Sequence, residues 1–207
     1  MAKIILIYGA SGSGKSRSLK NLDASQYALI NVMGKELPFK STKPYKVTTD
    51  YSVVKQSLLD YAQKTDTIVI DDAGYLITDQ FMAGHAAGKG NAIFELYNSM
   101  ADNFYRMIRF IKTELPPEKI VYIFMLEDID EFGFIKPKTI GKMLDDKVNI
   151  PGLFTIVLRA MKKDNKYIFR TQGTGFDVTK SPEEMFSAEE IDNDLKLVND
   201  AIKGYYK

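Results

Sequence analysis

The stretch that decides the fold is Gly9-Ala10-Ser11-Gly12-Ser13-Gly14-Lys15-Ser16, which ends the apolar run Lys3–Gly9 (KIILIYG). It meets the pattern G-x-x-x-x-G-K-[ST] at every fixed position. A polyphosphate needs several donors converging on one small concavity. Consecutive backbone N–H groups supply them, and glycines at 9, 12 and 14 keep side chains out of the approach. Such a loop opens a helix, whose partial positive N-terminus faces the same anion. Lys15 neutralises the β- and γ-phosphates, and the Ser16 hydroxyl is suited to Mg²⁺. The residues expected to hold the nucleotide are Gly9, Ser11, Gly12, Ser13, Gly14, Lys15, Ser16 and Arg17, with Lys15 also in a catalytic role.

Working outward, the run before the loop reads as a buried parallel strand. A short helix fits 16–22 and a second strand 28–33. Residues 34–48 carry Gly34, Pro38, Pro44 and several lysines, and read as loop. Asp50 is placed to cap a helix over 51–64, with Val54, Leu58 and Tyr61 on one face. A third strand covers 67–70 and ends in Asp71-Asp72. The segment 79–90 is Gly/Ala-rich and reads as mobile. Residues 91–115 form the strongest helical pattern, with Ile93, Tyr97, Met100, Phe104, Met107, Ile111 and Leu115 in period; Pro116-Pro117 stop it. The aromatics from Phe94 to Phe110 follow that spacing and read as core. A fourth strand fits 120–126. Residues 128–150 read as irregular, with a short helix at 140–145. A hairpin fits 153–172 around Asp164-Asn165, and a last helix 188–206.

Strand and helix alternate up to residue 127, which predicts an α/β fold with a mainly parallel sheet covered on both faces. No linker divides the 207 residues, so one domain, 1–207, is expected. A chain of this length buries roughly 70% of its unfolded surface and needs no staples. Lys+Arg number 28 against 27 Asp+Glu, which argues against a globally basic nucleic-acid binder. There is no cysteine and one histidine, His85, which excludes disulfides, thiolate zinc sites and cysteine nucleophiles. Without partner ligands His85 reads as a surface residue. The longest apolar runs are far short of a membrane span and nothing reads as a leader, so a cytoplasmic protein is the expectation.

A polyphosphate loop needs a carboxylate at the end of a neighbouring strand to complete the Mg²⁺ environment. Thr67-Ile68-Val69-Ile70-Asp71 supplies it, making Asp71 with Ser16 the metal pair. Asp72 points elsewhere and is the candidate to orient or deprotonate an attacking water, with a cap for the next segment as its plain alternative.

At these residues the chain resembles the P-loop NTPases. The stretches 138–144 (KTIGKML), 153–158 (LFTIVL), 167–172 (YIFRTQ) and Lys180-Ser181-Pro182 narrow the resemblance to bacteriophage RecA-like ATPases associated with single-strand annealing. This resemblance implies a three-layer RecA-like core extended by the C-terminal hairpin. It implies ATP and Mg²⁺ as cofactors, and ATPase activity in phage DNA recombination or replication. It also implies homo-oligomeric assembly, and single-stranded DNA and phage recombination proteins as partners. Only 35 residues follow Gln172, too few for a helical lid domain. Two positions depart from the family pattern. Met33 stands where a catalytic Glu is common at the end of the second strand, and Glu36 lies beyond a Gly. The γ-phosphate sensor position after the fourth strand is Glu127, expected to sense or to position water, or else to form a salt bridge.

Lys136, Lys138, Lys142 and Lys147 form a candidate DNA-facing segment, offset by Glu131, Asp145 and Asp146. Lys162, Lys163 and Lys166 at the hairpin tip are candidates for reaching a neighbour's γ-phosphate, or else a charged turn. Two other functions remain open: a small-molecule kinase, disfavoured by the absence of arginines in 110–158, and a nucleotide-dependent interaction module with little hydrolysis, motivated by Met33.

Overall fold

The computed structural model describes residues 1–86, 90–141 and 143–207. Its centre is strand β1 (Lys3–Gly9), bounded by β4 (Ile120–Ile129) on one side and β6 (Ile156–Lys163) on the other, both parallel to it. Strands β2 (Tyr27–Asn31) and β3 (Thr67–Asp71) continue the parallel sheet beyond β4. Past β6, strands β7 (Lys166–Arg170) and β8 (Glu190–Asp192) add antiparallel, giving the order β2-β3-β4-β1-β6-β7-β8. Short β5 (Ile135–Pro137) pairs antiparallel with the extension of β4. This is the predicted α/β sheet with its hairpin.

Alternation along β1 explains the layers. Ile4, Leu6 and Tyr8 point to a core under α1 (Tyr51–Ala62), α2 (Gly74–Gly84) and α3 (Asn91–Glu114); Ile5 and Ile7 point to a second core under α4 (Leu195–Tyr205). α1 starts where Asp50 accepts hydrogen bonds from the Ser52 and Val53 amides. α3 buries Met100, Phe104, Met107 and Ile111, as its periodicity predicts. Its first turns are more open, and Phe94 is exposed rather than core. The chain leaves β1 towards β2 on one side and β4 towards β6 on the other. The loops therefore diverge at the carboxyl ends of β1 and β4, where open α/β sheets bind ligands.

Five expectations need correction. The 16–22 helix is a single 3₁₀ segment, Ser16–Asn21. The second strand stops at Asn31, because Gly34 turns the chain (φ +64°) and donates its N–H to the Asn31 carbonyl. The first part of the segment read as mobile, 79–84, is helical; Leu76 and Ile77 of α2 are fully buried, and its two glycines stand only at the ends. Residues 87–89 of that segment lie outside the described residues. The irregular 128–150 stretch contains β5 and one π-helical turn, Met143–Val148. The last helix begins at Leu195, capped by Asp194. Ile191, which fits its apolar stripe, instead pairs with Phe169 in β8. The hairpin runs as predicted, with its strands beginning and ending slightly later and earlier, and Asp164 and Asn165 both at positive φ. Among the described residues, no helix is long and apolar enough to cross a membrane.

Candidate functional site

The 9–16 loop leaves the end of β1 in a form that its glycines dictate. A Cβ on Gly9 would stand 2.3 Å from the Ala160 carbonyl oxygen of β6. Gly14 has φ +100°, and a Cβ there would meet Tyr167 Cδ1 at 2.7 Å. The loop is therefore pressed against the β6–β7 hairpin, and neither position accepts a side chain without rearrangement. Lys15 is buried, and its Nζ donates to the Gly9 and Ala10 carbonyls at 2.7 and 2.9 Å. Burial lowers its pKa, opposed by the nearby Asp71 and Asp72 carboxylates.

Ser16 and Asp71 meet as expected. Ser16 Oγ donates to Asp71 Oδ2 at 2.7 Å, and the Asp72 amide donates to Asp71 Oδ1 at 3.0 Å. Burial pushes the Asp71 carboxyl up to about 6, only partly offset by the Ser16 hydrogen bond. Among the described residues, no group of three or more His, Cys, Asp or Glu converges as a metal cage. A hydroxyl and one carboxylate do fit Mg²⁺, which is held by one or two protein oxygens together with phosphates and water.

Asp72 takes a left-handed conformation (φ +60°), and its carbonyl accepts from the Tyr75 amide as α2 begins. Its side chain is buried, and Oδ2 forms an ion pair with Lys35 Nζ at 2.5 Å. Lys35 is not among the residues that the sequence pattern singles out. Asn31 explains its position: at the end of β2, opposite Asp71, it donates Nδ2–H to the Lys35 carbonyl at 2.6 Å. The one sequence signal for it is Gly34, a turn residue shortly after a strand. Met33 is half exposed, whereas Glu36 brings a carboxylate to the cleft wall.

Together these residues enclose a cleft of about 460 Å³ lined by Ser11, Gly12, Gly14, Lys15, Ser16 and Arg17 on one side. Lys20, Lys35, Glu36, Pro38, Phe39, Asp71, Asp72, Leu126 and Tyr167 complete it. Arg17 lies over the Tyr167 ring, 4.8 Å from its centroid. Ser13 is buried and its hydroxyl has no partner.

Glu127 is not on the cleft wall. Arg159 holds its carboxylate through two hydrogen bonds, Nε–H to Oε2 at 2.9 Å and Nη2–H to Oε1 at 3.3 Å. The salt-bridge alternative describes this residue, and it touches the cleft only through its charge on Lys15. Lys138 is exposed at the rim of a second cavity, Lys136 lies on β5, Lys147 is exposed, and Lys142 is outside the described residues. At the hairpin tip Lys163 pairs with Glu190 at 2.9 Å and Lys162 faces Tyr167. His85 is exposed and stacks on Phe81.

Compared with known proteins, the chain matches no protein-family model, and a search of the curated proteins finds no match.

Proposed function

We propose that this protein is a Mg²⁺-dependent, ATP-binding P-loop protein of the RecA-like kind that hydrolyses ATP. Its setting is phage DNA recombination or replication, as a homo-oligomer working with single-stranded DNA and recombination proteins in the host cytoplasm. The observation that carries the nucleotide reading is the 2.7 Å contact between Ser16 Oγ and Asp71 Oδ2 beside buried Lys15. A hydroxyl and a carboxylate 55 residues apart in sequence converge with an ammonium at a loop whose pattern alone called for all three.

In this reading the loop amides grip the phosphates and Lys15 exchanges its carbonyl partners for β- and γ-oxygens. Ser16 and Asp71 would hold Mg²⁺, which would supply charge neutralisation on the phosphates. Asp72 would orient the attacking water and take its proton as the water oxygen bonds the γ-phosphorus and the bond to the bridging oxygen breaks, leaving ADP. Glu36 is the other carboxylate on the wall able to take that part. Phosphate release from ATP should require Mg²⁺ and fall about 100-fold or more in Lys15→Ala, the size of effect seen when one transition-state donor is removed. No turnover with or without single-stranded DNA would remove the enzyme from this reading and leave a nucleotide-dependent interaction module.

One observation favours a second reading, a small-molecule kinase. A cavity of about 230 Å³ lined by Tyr75, Thr78, Leu126 and Ile140 shares Asp72 and Leu126 with the cleft. A hydroxyl compound seated there would stand beside the same carboxylate. Transfer of labelled phosphate from ATP to a nucleoside or sugar would establish it.

A further inference from the structure

Along the carboxyl edge of the sheet the order is β2, β3, β4, β1. The 9–16 loop rises from β1, Asp71 ends β3 and Asp72 follows it, and Lys35 follows β2. The cleft thus has a cation at each end, Lys15 within the loop and Lys35 across from it, with two carboxylates between. These four charges cancel, while Arg17, Lys20 and Glu36, also on the wall, leave the cleft with one cation in excess.

The two lysines are held differently. Lys15 is buried on loop carbonyls. The Lys35 backbone is pinned to the sheet by Asn31, but its side chain is 61% exposed against 8% for Asp72. The exposed ammonium can swing to another anion without moving its backbone, and the Lys15 charge still faces Asp72 when it does. Asp72 stays where its backbone puts it, leading into α2. Lys35 lies close enough to Lys15 for their like charges to be felt.

We infer that Lys35 is the cleft's terminal-phosphate residue, which distinguishes a nucleoside triphosphate from a diphosphate by leaving Asp72 for an oxygen of the third phosphate. The inference rests on the nucleotide reading and deepens it. A phosphate chain gripped at the 9–16 loop must extend away from it, towards the far wall, and only its last group comes within reach of that wall. A charge-assisted hydrogen bond to that group replaces the one to Asp72. The exchange also uncovers Asp72, so the carboxylate that would handle water is released only when a third phosphate is present.

Calorimetric titration with ATP and with ADP, both in Mg²⁺, tests this on the full chain. The wild type should prefer ATP. Lys35→Met should weaken ATP about tenfold, the loss of roughly one charge-assisted bond, and leave ADP unchanged. Lys35→Arg should keep most of the preference. Asp72→Asn, which loosens the competing hold on Lys35, should raise it. Equal losses for ATP and ADP in Lys35→Met, or no loss for either, would overturn the inference while the nucleotide reading stands. A wild type that binds neither nucleotide would sink that reading and this inference with it. Melting curves on each variant confirm that the comparison is made on folded protein.

Discussion

Two ion pairs stand at the same end of the sheet, each with a largely buried carboxylate, and differ in how the cation is held. Arg159 and Glu127 join β6 to β4, the two neighbours of β1, through a pair of hydrogen bonds, with side chains 15% and 11% exposed. Lys35 and Asp72 meet through one contact, with the lysine open to water. The first pair clasps the strands that flank the loop's point of departure. It is long in sequence separation, mostly shielded from water on both sides, and fixed by the fork geometry of the guanidinium. The second is held by a flexible stem over a wet cleft. The difference separates a charge pair that builds the site from one that is free to take part in its chemistry.

The largest effect should come from breaking the shielded pair. Glu127→Ala leaves the mostly buried Arg159 without its hydrogen-bonded carboxylate, with only the charge of Asp177 nearby, and should cost up to about 3–5 kcal/mol in urea unfolding. A loss within about 1 kcal/mol, the range of exposed pairs, would show that water reaches Arg159 and that the two pairs are alike.

The next effect lies between the pairs, at Asp71, whose carboxyl is raised from its ordinary 3.8 to about 6. In that window the folded protein keeps a proton that the unfolded chain has released. Stability should therefore be full below the unfolded value and fall by roughly 2–3 kcal/mol as pH rises through the folded one. Asp71→Asn should flatten that slope. Mg²⁺ with a nucleotide should bind more tightly above about pH 6, where the carboxylate is formed without a proton to displace.

Much of this architecture is legible in the amino-acid sequence. The loop, the Ser16–Asp71 pairing and the parallel order of strand and helix follow from local pattern, because a strand ending in Asp and a loop ending in Lys-Ser carry their own geometry. What local pattern misses is set by distant partners. Ile191 fits the helical stripe of Leu195, Val198 and Ile202, yet Phe169 claims it for a strand of three residues, too short to show a period. α2 hides behind Ala83 and Gly84, although Leu76 and Ile77 anchor it. Glu127 is suited by position to a phosphate sensor, and only Arg159, 32 residues on, decides otherwise. Apart from the turn at Gly34, nothing local distinguishes Lys35 from other loop lysines; Asn31 aims its backbone and Asp72 receives its charge.

A smaller effect should follow at Gly14. Alanine there would hold φ +100° against its preference and press on Tyr167 and Asn193. A cost of about 1–3 kcal/mol is expected in thermal unfolding. A smaller change would show that the hairpin gives way, and that the loop is less tightly seated than the Arg159–Glu127 clasp implies. The smallest effect belongs to the wet pair. Lys35→Ala should cost about 1 kcal/mol, more than a fully exposed pair because Asp72 is buried, and less than Glu127→Ala because Lys15 still faces that carboxylate. A larger loss in urea unfolding would make that pair structural, and the contrast between the two would fail.

The central claim is that the 9–16 loop and the Ser16–Asp71 pair grip a magnesium-bound nucleoside triphosphate. Calorimetry of the wild type and Lys15→Ala with ATP and GTP in Mg²⁺ tests it most directly. The account predicts saturable, magnesium-dependent heat for ATP in the wild type and its loss in the variant. Flat heats for both nucleotides in the wild type, or undiminished binding in Lys15→Ala, would contradict it.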